Sequence, residues 1–293
     1  MTLDLREKDV VEPVSAGSLT QSRDAEGLGL FSNVLWLWRF RDLIALMVRR
    51  DLLGRYRGSV MGAFWTIINP VGHLLIYIFL FCIVLKVRFG TDASTSNFAL
   101  YLMSGLLPWG ALSESLARAT TAIAEQSNLV KRVVFPLEIL PLVIVLSSLL
   151  SEVIALVILV GAAFLYQGTV HWTIAFLPLI MLSQTMFTGG LSWLFASLGV
   201  YIRDMRHMII LALQVWMYTT PIIYPASALP DNLQFLIWIN PMAGIVGDYR
   251  LVILEGAPPD WSFYALYTII ATLLWFGGFY FFQKTKKSFA DVM

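Results

Sequence analysis

Charge is scarce in this chain. Asp, Glu, Lys and Arg make up 13% of its 293 residues, about half the share found in an ordinary soluble domain. A water-soluble fold of this length needs more polar surface, which excludes a soluble globular protein. With one cysteine, Cys82, no intrachain disulfide can form. Cys82 lies in an apolar run and reads as a small packing residue. The dipeptide Gly-Lys occurs nowhere, which excludes ATP binding by a P-loop. His73, His171 and His207 are scattered without the HExxH spacing of a metal site. The first 30 residues are polar and lack an apolar core, so they are expected to be a disordered tail rather than a signal peptide. A formal net charge of +1 offers no bulk field for nucleic acid.

What the chain has in excess is apolar length. Hydrophobic residues make up 58%. A membrane span needs about 20 apolar residues, and only helices fit runs of this kind. The pattern predicts an all-α membrane protein with six spans, over 62–85, 98–120, 138–166, 173–200, 208–224 and 262–282. Residues 31–293 form one transmembrane domain on this reading. Of the 20 Lys and Arg residues, all but Lys86, Arg88 and Arg250 fall on one side of this layout. That asymmetry predicts cytoplasmic termini.

Residues 231–254, DNLQFLIWINPMAGIVGDYRLVIL, are apolar and lie on the far side. Asn240-Pro241 divides them into two pieces too short to span. A seventh span would also place the Lys284–Lys287 tail outside. The segment is therefore expected to be two short helices dipping into the outer face. No internal repeat is evident, so the inverted repeats of many secondary transporters find no support.

Before the first span, Leu37, Phe40, Ile44, Met47 and Val48 share one helical face, opposite Arg39, Asp42, Arg49 and Arg50. Leu46 and Asp51 break the pattern. Ser32 or Asn33 can cap this amphipathic helix, and Trp36 and Trp38 suit a headgroup boundary. It reads equally as a partner- or lipid-contacting helix and as a topological anchor. Arg55 and Arg57 follow, where an anionic headgroup or diphosphate would sit. A planar guanidinium can donate two bonds to such a group, although either arginine also serves as an anchor.

Polar residues inside spans are expensive and face protein or a cavity. Trp65, Asn69, His73 and Tyr77 form one slanted stripe on the first span. Glu114 and Arg118 form an i,i+4 pair, and Glu152 and Gln214 lie in spans three and five. Each has an ordinary role in interhelical hydrogen bonding. Ten tryptophans and eleven tyrosines exceed what two interfacial belts need. Aromatic faces with a polar handle suit sugar rings, and Trp109, Trp216, Tyr218 and Tyr224 join Trp65 and Tyr77 as candidate conduit residues. Gly190-Leu191-Ser192 resembles in part an intramembrane serine protease motif, without its following glycine.

NLVKRVVFPLEILPL, residues 128–142, places charge, two prolines and an apolar tip between spans two and three. Together with RRDLLGRYRGSVMGAFWTIINP before span one and the tail KKSFADVM, it resembles the polysaccharide-export permeases of type-2 ABC exporters over about residues 30–293. These move lipid-linked O-antigen, capsule or teichoic-acid chains. The resemblance implies a homodimer of six-span subunits in the bacterial inner membrane, with two copies of a separate ATPase that binds ATP and Mg. This chain would need no cofactor of its own. The substrate would be an undecaprenyl-diphosphate-linked glycan. Residues 125–138 would match a coupling helix that docks on the ATPase. Lys131 and Arg132 would meet it electrostatically, and Val133, Val134 and Phe135 would fill its apolar groove. Pro136 and Pro141 would set the turn, and Asn128, Leu129, Val130 and Glu138 belong to the same docking element. Residues 231–254 would match outer gate helices and 32–53 a cytoplasmic gate helix. An exporter of drugs or small lipids, a glycan-modifying membrane enzyme and a secondary transporter are the alternatives. The enzyme would have to use Glu114 or Glu152.

Overall fold

The computed structural model describes residues 37–55, 58–85, 96–126 and 135–292. No strand occurs among them. The polar tail 1–30, the capping residues Ser32 and Asn33, Trp36, Arg57 and residues 127–134 lie outside the described residues. Among the described residues, 37–41 form one unit and those from Asp42 onward another. In the first, the Phe40 N–H donates to the Leu37 carbonyl at 3.0 Å. The Arg41 guanidinium lies 5.5 Å over the Trp38 ring.

The helices run in chain order as α1 (Arg41–Arg55), α2 (Trp65–Tyr77), α3 (Ser96–Ala122), α4 (Ile139–Gln167), α5 (Leu177–Tyr201), α6 (Met205–Thr219), α7 (Phe235–Trp238), α8 (Pro241–Arg250), α9 (Trp261–Thr285) and α10 (Phe289–Val292). Wider π turns extend α2 through Ile78–Val84 and α8 through Leu251–Glu255. Four helical stretches are long and apolar enough to cross a membrane: Trp65–Val84, Ile139–Gln167, Trp172–Tyr201 and Trp261–Ser288. They match the expected first, third, fourth and sixth spans. α3 has 27 residues but carries Glu114 and Arg118 in its second half. α6 has only 15. It stops five residues short of the expected end because Thr220, before Pro221, leaves helical space for extended backbone.

Local chemistry explains the other boundaries. Gly168 ends α4 in the left-handed conformation at φ 72°, which side chains with a Cβ resist. Asp260 caps α9 by accepting from the Ser262 and Phe263 N–H groups at 3.1 and 3.3 Å. Asn240 caps α8 through the Met242 N–H at 3.1 Å, with Pro241 at the first helical position. The same Asn-Pro step bends the pair Asp231–Trp238 and Pro241–Glu255 by 89°.

α5 packs most extensively on α9. Glycines set this crossing. A methyl on Gly190 would fall on the backbone of Leu274 and Trp275, and one on Gly278 would fall on the Gly190 carbonyl. Gly199 meets the backbone of Thr120 on α3 in the same way. Small residues let membrane helices approach where lipid supplies no hydrophobic drive. The Gly190-Leu191-Ser192 triplet is thus part of a helix crossing, with Ser192 fully buried. Beside it the buried Trp193 ring lies between Trp275 at 4.6 Å and Phe279 at 5.0 Å. Gly190→Val is expected to push α5 and α9 apart and destabilise the fold by about 1–3 kcal/mol or more. Gly161→Ala and Gly277→Ala, where nothing stands near the added carbon, should be close to neutral. Thermal unfolding in detergent distinguishes these outcomes.

Candidate functional site: a membrane cleft

α2, α3 and α4 enclose a cleft of about 340 Å³, with Arg55 of α1 also in its wall. Three members of the α2 stripe, Asn69, His73 and Tyr77, line it. The fourth, Trp65, turns away and donates from Nε1 to Ser59 Oγ at 2.8 Å. His73 Nδ1 lies 2.9 Å from the Asn69 carbonyl oxygen. A carbonyl only accepts, so Nδ1 carries the hydrogen. The His73 and Tyr77 rings are 6.1 Å apart, and Tyr77 continues to Phe81 at 6.4 Å. Trp109, Glu114 and Glu152 form the opposite side of the same cleft.

Four charges close the region around Arg55. Its Nη1 is 2.7 Å from Glu114 Oε1 and its Nε is 3.3 Å from Asp51 Oδ2. Arg118 reaches Asp51 Oδ1 at 2.5 Å and Glu114 Oε1 at 3.2 Å. Arg55 also donates to Ser148 Oγ at 3.4 Å and Ser151 Oγ at 3.5 Å. The cluster joins α1, α3 and α4 with two cations and two anions. Asp51, which broke the amphipathic pattern of α1, ties α1 to α3 through Arg118, alongside the Arg55–Glu114 pair. Ile44 and Met47 on the predicted apolar face are buried, and the other off-pattern residue, Leu46, is exposed. Burial pushes the Asp51 carboxyl up, but the Arg118 bond and the Arg118 and Arg55 charges outweigh it. The group is held below the usual value.

At the far end of the bundle, α8 is fastened at both ends. Asn240 Nδ2 donates to Thr220 Oγ1 at 2.8 Å, and Trp216 Nε1 to Asn240 Oδ1 at 2.9 Å. Thr173 Oγ1 donates to the Val252 carbonyl at 2.7 Å. Arg250 is buried and donates to the Pro221 and Ile222 carbonyls at 2.6 and 2.7 Å, just past α6. Its guanidinium lies 3.5 Å from the centre of the Tyr101 ring on α3. From the sequence, Arg250 counts only as a positive charge on the far side. Its role as a clip depends on the turn after α6 and on α3, both distant in the chain. Near the middle of α4, the carboxyl of Glu152 meets Tyr249 of α8 and Gln184 of α5.

The aromatic candidates do not form one lining within the chain. Tyr77 and Trp109 share the cleft. Trp109 is buried and packs edge-on against Trp216 at 5.8 Å. Trp216 also borders a shallow apolar groove on α6 with Met208, Leu211 and Val215. Tyr218 is exposed, and the Tyr224 hydroxyl donates to its carbonyl at 2.8 Å. Gln214 is exposed on α6.

Of the expected docking element, Asn128, Leu129, Val130, Lys131, Arg132, Val133 and Val134 lie outside the described residues. Phe135 and Pro136 are half-buried at its end. Glu138 is fully buried and forms an ion pair with Lys286 of the C-terminal tail. The Glu138 carbonyl accepts from Trp193 Nε1 at 2.8 Å. The side chain thus fastens the start of α4 to the end of α9.

Removing one member of the charge cluster leaves a partly buried carboxylate short of a cation. Arg118→Leu is expected to destabilise the fold by about 1–3 kcal/mol, between the exposed and fully buried limits. Because Asp51 is held below its ordinary value, its contribution is present above about pH 4 and is lost as pH falls further. Asp51→Asn should flatten that acid slope in unfolding measurements.

Comparison with known proteins places this geometry in a family. Residues 42–254 match the ABC-2 type transporter family. The O-antigen export system permease protein RfbA of Myxococcus xanthus is 31% identical over 258 residues, which cover 87% of this chain and 96% of that protein. A protein of the same description from Klebsiella pneumoniae is 28% identical over 86% of this chain and 95% of its own length. The polysialic acid transport protein KpsM of Escherichia coli is 24% identical over 78% of this chain and 89% of its own. The family match covers most of the chain and the Myxococcus relative nearly all of it, so the chain belongs to the ABC-2 type transporter family.

Proposed function

We propose that this chain is the membrane subunit of an exporter that carries a lipid-linked, O-antigen-like polysaccharide across the bacterial inner membrane. The observation that carries the reading is the likeness, along almost the whole chain, to permeases described as O-antigen exporters. The absence of a P-loop agrees with ATP and Mg being bound by a separate ATPase, two copies of which would serve a homodimer. Six spans with both termini in the cytoplasm follow from the charge asymmetry, with α3 and α6 as the second and fifth. α7 and α8 then form a re-entrant outer gate. Hydrogen bonds that link the start of α8 to Thr220 just past α6, and its extension to Thr173 before α5, support that placement. Residues 128–138 would dock on the ATPase, with Glu138 holding the docking element against the C-terminal tail.

The cleft offers hydroxyl-bonding and ring-stacking groups of the kind a glycan needs, in Asn69, His73, Tyr77 and Trp109. A diphosphate arriving at Arg55 and Arg57 would have to exchange with Glu114 or Asp51 for the Arg55 guanidinium. The two carboxylates an enzyme would require are both engaged, Glu114 with arginines and Glu152 with Tyr249 and Gln184. The chain is a transport permease.

Gentle solubilisation from the native membrane should bring down a stoichiometric ATPase. Phe135→Asp should abolish that association while the permease itself stays folded. Tyr77→Ala should reduce export of long chains by roughly tenfold or more, as expected when binding contacts worth about 1–2 kcal/mol are lost, with ATPase association intact. Export of small amphiphiles but no glycan by the wild-type transporter would favour the drug or small-lipid exporter. An intact preparation with no ATPase would remove the exporter reading.

A further inference from the structure

Glu152, Tyr249 and Gln184 close a ring of three contacts. Tyr249 Oη lies 2.7 Å from Glu152 Oε1 and 2.7 Å from Gln184 Oε1. Gln184 Nε2 lies 2.7 Å from Glu152 Oε2. All three residues are buried, and they come from α4, α8 and α5. Each contact is short enough to require a hydrogen between its two heavy atoms. The phenol has one hydrogen to give. The amide gives one to the ring, and its other hydrogen points to the Pro108 carbonyl at 3.4 Å. That makes two hydrogens for three contacts. Turning the amide over exchanges its oxygen and nitrogen but leaves the count at two.

We propose that the third hydrogen sits on Glu152, so that the ring is a proton-binding site inside the membrane and its ligand is a single proton. With Glu152 neutral, its hydroxyl donates to Tyr249, Tyr249 donates to Gln184, and Gln184 donates back to the carboxyl. Every contact is then filled and the ring carries no net charge. With Glu152 ionised, one pair of polar atoms faces at 2.7 Å with nothing between them. The ring would open, and Tyr249 would lose its hold on either α4 or α5. The proton therefore ties α8 to the two helices behind it.

The surroundings fit a neutral group. Arg55 is the arginine in the cleft wall, and it is already paired with Glu114 and Asp51. Glu114 on α3 and His73 and Tyr77 on α2 line the same cleft. On the other side of Tyr249, Tyr267 of α9 donates to Asp248 Oδ2 at 2.7 Å. Arg250 points away from the ring, to the carbonyls after α6. Glu152 itself forms part of the cleft wall, and its proton exchanges by that route rather than through lipid.

The test is infrared spectroscopy of the intact transporter in lipid nanodiscs near neutral pH, wild type against E152Q. The wild type should show a protonated-carboxyl carbonyl stretch that E152Q lacks. The amide of E152Q can supply the third hydrogen, so this variant should assemble and unfold no earlier than wild type. Y249F provides an independent reading, because it removes the acceptor of the acid and must shift the same band. Spectra of wild type and E152Q that coincide in the carboxyl region, an unshifted band in Y249F, or an E152Q that fails to assemble would each overturn the proposal.

Discussion

A polar or charged group carried into hydrocarbon costs several kcal/mol unless protein satisfies it. The arrangement of this molecule follows from that constraint. Asp51, Arg55, Glu114 and Arg118 neutralise one another. Glu138 meets Lys286. The Asp248 carboxylate accepts from Tyr267 and from the Asp260 N–H at 3.0 Å. Arg250 donates from both Nη groups to the backbone carbonyls just past α6. Apart from the Asp51–Arg55 and Glu114–Arg118 pairs within single helices, these contacts join different elements of the chain. Apolar faces pack against lipid nearly as well as against each other, so these polar closures decide which helix lies beside which.

The two ends of the bundle are fastened differently. At the basic end the links are ion pairs, which partial exposure to water weakens. At the other end they are hydrogen bonds to carbonyls and amides around α8. α4 belongs to both: its start is held at Glu138 and its middle at Glu152. On the proposed reading, motion delivered at the start of α4 is passed along one continuous 29-residue helix to the contact with α8. A rigid element bonded at both places can carry a displacement between them.

Aromatic content has more than one use here. Trp193, Trp109 and Trp216 pack at helix crossings, in each case with edge-on neighbours. Tyr77 and His73 face the cleft, and Tyr218 faces outward. An abundance of tryptophan and tyrosine by itself does not separate packing from recognition. Only their positions relative to α3, α5 and α9 do so.

Much of this was legible in the residues themselves. Apolar length foretold the helical class and most of the span positions. Asn240-Pro241 foretold the break in the outer segment, because its physics is local. The α2 stripe was correct in three residues of four, since helical periodicity places side chains on a face without help from the rest of the fold. The reasons for Asp51, Gly190, Tyr249 and Arg250 were not legible. Asp51 and Leu46 look alike as breaks in a pattern, yet one meets Arg118 and the other stays exposed. Gly190 looks like a fragment of a motif until α9 is laid across it. Tyr249 lies 97 residues from Glu152. Sequence alone determined the helices and their polar faces, because those depend on neighbours within a few residues. The tertiary structure decided which polar groups meet, because that depends on how helices distant in the chain pack and on the need to leave none of these groups to the lipid.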